Sequence, residues 1–157
     1  MKSNKETDKA SFLKAKALSD IFATQEGRQP RLLLSKLEQK NDDHNIKFIA
    51  SAYADIGFDV DLSPLFQSAK DLSKQAIEND VHVIHISYLT HDFIHKISEI
   101  IDSLSNYGCN DILVIVDGEN VSEIDCKTLE DYGVAIILKS DALISDAAIQ
   151  ILNFLIE

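Results

Sequence analysis

Cysteine, glycine and long apolar runs are scarce in this chain of 157 residues, and each scarcity excludes a class of protein. Two cysteines, Cys109 and Cys126, are too few for the disulfide framework of a small secreted domain, and with no secretion signal they favour a reducing, cytoplasmic location. Five glycines argue against a phosphate-binding loop, which usually needs several at close spacing. No apolar run approaches the ~18 residues that cross a bilayer, so we expect no contact with a membrane interior.

Charge is distributed unevenly along the chain. Residues 1–40 hold nine Lys and Arg against five Asp and Glu, whereas residues 41–157 hold six against 21. An acidic body repels the phosphates of nucleic acids and of anionic lipids, so neither a nucleic acid nor a membrane is an expected partner. The apolar fraction of 45% is enough for one domain with a buried core.

Apolar residues alternate between helical and strand spacing along the chain. Helices are predicted at 9–23, 45–55, 69–78, 91–107, 122–131 and 141–156, and strands at 31–37, 58–62, 81–87, 111–116 and 134–138. Apolar strands separated by helices indicate a parallel sheet that is covered on both faces. We therefore predict an α/β fold, a doubly wound five-stranded parallel sheet of flavodoxin-like order with an extra N-terminal helix.

The predicted organisation is an N-terminal helix and linker at 1–30, followed by a domain at 31–157. The helix at 9–23 has an apolar stripe that would suit either its own domain or another chain. In a doubly wound sheet, ligands bind beyond the carboxyl ends of the strands, near the switch in strand order. Functional residues are therefore expected in the loops at 38–45, 87–91, 117–121 and 139–143.

Several segments match a known family. The run Glu26–Leu34 (EGRQPRLLL), the run Ala54–Asp61 (ADIGFDVD) and the tetrapeptides Pro64–Gln67 and Asp80–Val83 carry the resemblance. From about residue 22 to its end, the chain resembles the C-terminal cobalamin-binding domain of methylmalonyl-CoA mutase. It looks most like that of the small subunit, which does not bind cobalamin. The resemblance implies the flavodoxin-like fold of cobalamin-binding domains.

The resemblance also implies a cobalt site, and this chain departs from it. Family members hold cobalamin with its own base displaced, and the histidine of an Asp-x-His-x-x-Gly motif binds cobalt. An ungapped comparison places Lys40, Asp42 and Asn45 at the three motif positions. A carboxylate is a harder ligand than imidazole and suits Mg²⁺ or Ca²⁺ better. The alternative is that His44, two residues later, is a shifted cobalt ligand.

The loops that would surround the displaced nucleotide differ as well. His85 stands at a family glycine, although Ser87 and Leu89 keep the Ser-x-Leu motif that follows it. Asp117 and Gly118 replace a Gly-Gly pair, and Lys139 begins the segment that replaces Gly-Pro-Gly-Thr. A side chain at a glycine that admits a ligand occupies the ligand's space. These residues, together with Asp42, predict a vestigial pocket, and no cofactor is expected.

The predicted function is therefore a non-catalytic, structural or regulatory domain in a mutase heteromer. Its expected partner is the catalytic large subunit or a barrel domain, contacted through the helix at 9–23. The alternative is a domain that still carries cobalamin for an isomerase or a methyl-transfer partner. A third possibility is an Mg²⁺-binding signalling domain, because acidic residues follow the fourth strand. His91 and His95 have zinc-like spacing but lack an evident third ligand, so no metal site is expected.

Overall fold

Helices and strands alternate along the chain. The structure, a computed structural model, describes residues 2–36, 44–64, 67–87, 91–118, 121–139 and 141–156. The helices are α1 (Lys2–Glu26), α2 (His44–Ile56), α3 (Ala69–Glu78), α4 (Ile94–Asn106), α5 (Glu123–Tyr132) and α6 (Ile144–Ile156). The strands are β1 (Arg31–Lys36), β2 (Asp59–Leu62), β3 (Val83–Ser87), β4 (Leu113–Asp117) and β5 (Ile136–Leu138). No helix in these ranges is long and apolar enough to cross a bilayer.

The five strands form one parallel sheet in the order β2-β1-β3-β4-β5. This result confirms the predicted doubly wound, flavodoxin-like fold. Strand order reverses between β1 and β3, so the crevice of the switch point opens at their carboxyl ends. In the β1–β3 ladder Lys36 lies opposite Ser87, and His85 lies between Leu34 of β1 and Ile115 of β4.

Alternating strand residues divide the core between the two faces of the sheet. One face carries Leu33, Ile84 and Ile86 against α3, α4 and α5. The other carries Leu32, Leu34 and Ile115 against α1, α2 and α6. The three central strands, β1, β3 and β4, are buried on both sides, which explains why they are largely apolar in the sequence.

Helix α1 packs on its own domain, mainly against α6. Its buried face holds Ala15, Ser19 and Phe22, whereas Leu13 and Ile21 are 53% and 45% exposed. The helix is longer than the predicted 9–23, and the polar residues that precede residue 9 include no glycine or proline that would end it. The predicted contact of this helix with a partner stays a prediction, and it would use the outward face.

The turn between α2 and β2 lies very close to α1. Gly57 has a φ of +125°, and a Cβ at this position would lie 2.6 Å from Oγ of Ser19. Only glycine combines that backbone conformation with the close approach. The turn therefore fixes the distance between α1 and the sheet.

Some element ends differ from the predictions by two or three residues. The predicted helix at 91–107 begins instead with a 3₁₀ turn at His91–Phe93, and α4 starts at Ile94. Strands β3 and β5 start two residues later than predicted. Residue 82 precedes β3 but still bonds to both neighbouring strands, because its N–H donates to the Arg31 carbonyl and its own carbonyl accepts from Leu113.

A partly buried histidine, His82, joins α1 to the amino ends of the strands. The N–H of Arg31 donates to Nδ1 of His82 at 2.9 Å. The ring of Phe22 meets the His82 ring edge-on, with centroids 4.9 Å apart. Burial, and then the positive charge of Arg28, lower the pKa of His82 below its ordinary value. The fold therefore holds this imidazole neutral.

Acidification is expected to weaken the fold through His82. Its pKa is higher in the unfolded chain, so that state binds more protons, and the free energy of unfolding falls as pH drops below about 6.5. The His82 contribution is present above that pH and is lost as pH falls through the folded pKa. Denaturant unfolding of the protein and of His82→Asn between pH 5 and 8 tests this. Asparagine keeps an acceptor for Arg31 but does not titrate, so its curve should be flatter, and parallel curves would contradict the assignment.

Candidate functional site

Polar side chains occupy the carboxyl ends of the three central strands. Lys36 ends β1, Ser87 ends β3 and Asp117 ends β4. Lys36 is 5% exposed and Ser87 is fully buried, whereas the Asp117 side chain is 18% exposed. These residues lie at the switch in strand order, which is where this class of sheet binds ligands.

A chain of hydrogen bonds leads from this edge into the core. Oδ2 of Asp117 lies 2.6 Å from Nε2 of His85, and Nδ1 of His85 lies 2.9 Å from Oη of Tyr53. Oγ of Ser87 contacts the other Asp117 oxygen at 3.4 Å. Tyr53 and His85 are both fully buried. We call Tyr53, His85 and Asp117 the Tyr–His–Asp relay.

The hydrogen bonds of the relay run in one direction, from Tyr53 through His85 to Asp117. Burial, and then the negative charge of Asp117, raise the pKa of Tyr53 far above its ordinary value. Its hydroxyl therefore keeps its proton. The Asp117 carboxylate can only accept, so Nε2 of His85 donates to it, and Nδ1 of a neutral imidazole then accepts from the Tyr53 hydroxyl. The relay places a carboxylate at the edge of the sheet and backs it with a fixed imidazole tautomer.

Tyr53 reaches the relay because of the pattern of α2. The side chains at 46, 49, 50, 53 and 56 recur at helical spacing and face the sheet. Tyr53 thus lies over His85, with ring centroids 5.7 Å apart. Tyr53 is not among the site residues predicted from the sequence. The signal available was a tyrosine on a buried apolar stripe, since a buried hydroxyl needs a partner.

A cleft of about 970 Å³ lies beside the same edge of the sheet, next to α5. Gly118 and Lys139, which follow β4 and β5, line it together with Cys126 and Glu130 of α5. Lys139 is exposed. The cleft gives the carboxyl edge an open side with both polar and apolar walls.

The structure places some of the predicted site residues together. His85, Ser87 and Asp117 are in contact, and Gly118 and Lys139 line the neighbouring cleft. Asp42 and Leu89 lie outside the described residues. His44 begins α2, and its side chain lies outside the described part of the chain. The predicted roles of these residues stay predictions.

Asp125, one of the acidic residues that follow β4, is bonded to a histidine. Nδ1 of His91 lies 2.9 Å from Oδ2 of Asp125, and this carboxylate raises the pKa of His91. Since His91 lies in the 3₁₀ turn, it does not share one α-helix with His95. Within the described ranges, no group of three or more His, Cys, Asp or Glu side chains is placed to hold a metal ion.

Sequence comparison gives relatives for most of the chain. No protein-family model matches it. The large subunit of methylmalonyl-CoA mutase from Porphyromonas gingivalis is 40% identical over 93% of the chain, and methylmalonyl-CoA mutase from Escherichia coli is 37% identical over 88%. The chain spans about a fifth of the length of these relatives, 20% and 19%. The matched part is their C-terminal, cobalamin-binding domain.

Solved structures share the fold. A cobalamin-binding protein from Desulfitobacterium hafniense has a TM-score of 0.66 at 16% identity, with 89% of this chain and 67% of that chain covered. The monomethylamine corrinoid protein of Methanosarcina barkeri has a TM-score of 0.65 at 15% identity, with 87% of this chain and 63% of that chain covered.

These relatives correct one prediction and restrict another. The prediction that no cofactor is expected is wrong, because the matched mutase domain and the two solved neighbours bind cobalamin or a corrinoid. The specific likeness to a small subunit is not supported, since the matched mutase subunits are large ones. The resemblance itself is confirmed: the chain is a homologue of the C-terminal, cobalamin-binding-type domain of methylmalonyl-CoA mutases.

Proposed function

We propose that this chain is a corrinoid-binding domain that presents cobalamin to a catalytic barrel. The observation that carries the proposal is its 40% identity, over 93% of its length, to the cobalamin-binding domain of a mutase. The fold supports it, because the switch point and the cleft both open at the carboxyl edge. The predicted structural or regulatory role in a mutase heteromer has less support, since the matched subunits are large ones.

The described edge suits the corrin ring. Amide side chains surround a corrin, and they both donate and accept hydrogen bonds. Asp117, at the end of β4, offers an acceptor, and the exposed Lys139, directly after β5, offers a donor. A bound corrinoid supplies a cobalt centre that carries an alkyl group or starts a radical rearrangement. In this proposal the protein's side chains hold the ring by its amides and shield one of its faces from water.

The proposed partner is the barrel that binds the substrate. The mutase relatives favour an isomerase over a methyl-transfer enzyme as that partner. A corrin ring held at the carboxyl edge would leave its outer face open to a substrate bound in the barrel. The exposed Leu13 and Ile21 of α1 would form a second contact with the partner, because Ile21 is adjacent to Phe22, which packs at the amino ends of the strands.

Equilibrium dialysis with hydroxocobalamin tests the proposal, with the corrinoid absorbance as the measure of bound ligand. We expect saturable binding at one site per chain. Gly118→Phe adds a ring at the carboxyl end of β4 and should weaken binding at least about tenfold. Asp111→Phe adds the same ring to an exposed position before β4, at the opposite edge, and should leave binding unchanged. Absence of saturable binding, or equal effects of the two variants, would contradict the proposal.

A further inference from the structure

One imidazole near the carboxyl ends of the strands is bonded to a carboxylate on one side and open to solvent on the other. Nδ1 of His91 lies 2.9 Å from Oδ2 of Asp125. The His91 side chain is 79% exposed, whereas the Asp125 side chain is only 10% exposed. The bond uses Nδ1, and the exposure of the ring leaves Nε2 accessible to a ligand.

The two residues lie in connections that leave neighbouring central strands. His91 lies in the 3₁₀ turn that follows β3, and Asp125 lies in the first turn of α5, which follows β4. At the ends of these two strands, Oγ of Ser87 contacts Oδ1 of Asp117 at 3.4 Å. The pair therefore belongs to the edge at which the proposed function places the corrin ring.

The carboxylate of this pair is well placed to orient the ring. Asp125 is held in the first turn of α5, where its N–H donates to Oγ of Ser122 at 3.1 Å. Its carboxylate accepts from Nδ1–H of His91, which leaves the lone pair of a neutral imidazole on Nε2. The same carboxylate raises the pKa of His91, so the ring is a stronger electron-pair donor. A carboxylate behind a histidine is the usual arrangement for an imidazole that binds a metal.

A cobalt ion in a corrin needs only one such group from the protein. The ring nitrogens hold the metal in the plane, and the remaining positions lie above and below it. An imidazole nitrogen is a suitable ligand for late first-row transition metals. A free metal ion needs a group of three or more ligating side chains, which the described ranges lack, but a corrin-bound ion does not.

We infer that Nε2 of His91 binds the cobalt of a corrinoid on the face of the ring that lies toward the domain, with Asp125 as its positioning residue. The inference rests on the proposed function. It assigns this axial bond to the connection after β3, and not to His44 at the start of α2 or to the benzimidazole of cobalamin. Nε2 releases any proton that it carries when it binds, and no electron is transferred. The outer face of the ring stays open to the substrate.

Electron paramagnetic resonance of Co(II) cobinamide bound to the protein gives the first test. Cobinamide has the corrin ring but no benzimidazole, so a nitrogen splitting of the cobalt lines can come only from the protein. We expect a triplet splitting that becomes a doublet when the protein is labelled with ¹⁵N. The splitting should be lost in His91→Ala. It should be kept in His95→Ala, which removes an exposed imidazole four residues later, and circular dichroism first checks that both variants are folded.

Other outcomes of this experiment would overturn the inference. A saturated complex without nitrogen splitting would show that no imidazole binds the cobalt. A splitting that disappears in His44→Ala but persists in His91→Ala would place the ligand on α2. If cobalamin binds and cobinamide does not, the labelled protein is measured with Co(II) cobalamin, where a doublet lost in His91→Ala supports the inference and a triplet contradicts it. If equilibrium dialysis finds no binding of either corrinoid, the proposed function itself fails, which is a separate outcome.

Asp125→Asn tests the positioning role. Asparagine keeps an acceptor for Nδ1–H but removes the negative charge, so the affinity for cobinamide should fall about tenfold while the nitrogen splitting remains. Asp102→Asn removes a charge from an exposed position of α4 and should leave the affinity unchanged. Equal affinities of the two variants would show that the bond to Asp125 is only structural and would contradict this role.

Discussion

Replacing His85 by alanine is expected to lower the free energy of unfolding by about 3 kcal/mol. The imidazole is fully buried and both of its nitrogens have partners, Tyr53 and Asp117. The substitution leaves a cavity and also leaves a buried hydroxyl and a carboxylate without their shared partner. Urea denaturation at pH 7, followed by circular dichroism, measures the change.

A matched control separates this effect from the general loss of a histidine. His95 is exposed on α4, and His95→Ala should change stability by less than about 0.5 kcal/mol. Tyr53→Phe should have an intermediate cost of about 1–2 kcal/mol, because it removes one hydrogen bond without a cavity. Equal costs for His85→Ala and His95→Ala would show that the relay contributes nothing to the fold.

Phe22→Ala in α1 is expected to cost about 3–4 kcal/mol. Phe22 is 3% exposed, and its ring packs against His82 at the amino ends of the strands. Truncation would open a cavity between α1 and the sheet. The adjacent Ile21 is 45% exposed, so Ile21→Ala should cost less than about 1 kcal/mol. If the two substitutions have the same effect, α1 is not docked on the domain as described.

The His85 and Phe22 predictions concern two parts of the core on one face of the sheet. Phe22 packs α1 onto the core on the face of the sheet that α1, α2 and α6 cover. His85 belongs to the sheet itself and fills the space beneath α2 on that face. Ile21→Ala also tests the predicted partner contact of α1, which would be separate from the contact at the carboxyl edge. A loss of barrel binding without a loss of stability would identify that surface.

The buried His85 also affects how a departure from a family motif is interpreted. His85 was expected to block a pocket because it stands where the family has glycine. The relatives nevertheless belong to cobalamin-binding domains. A side chain in the interior excludes only the part of a ligand that must enter the interior. Such a side chain does not exclude a corrin ring that rests on the edge of the sheet.

The fold class could be predicted from the sequence because its signals are local. Helical spacing of apolar residues in 45–55 indicates a helix buried on one face. A continuous apolar run such as 111–116 indicates a strand buried on both faces. Neither pattern depends on the rest of the chain. Glycine after a helix and a serine cap before α5 mark element ends in the same local way. The order of the sheet then follows from the handedness of the crossovers.

The relay and the docking of α1 were decided only by the tertiary structure. His85 lies 32 residues after Tyr53 and 32 residues before Asp117, and the contacts among them depend on strand register and on the position of α2. The apolar stripe of α1 suited its own domain or a partner equally well, since periodicity shows that a face is buried and not what buries it. Local patterns determine which surfaces must be covered. Only the assembled chain determines which side chains meet beneath them.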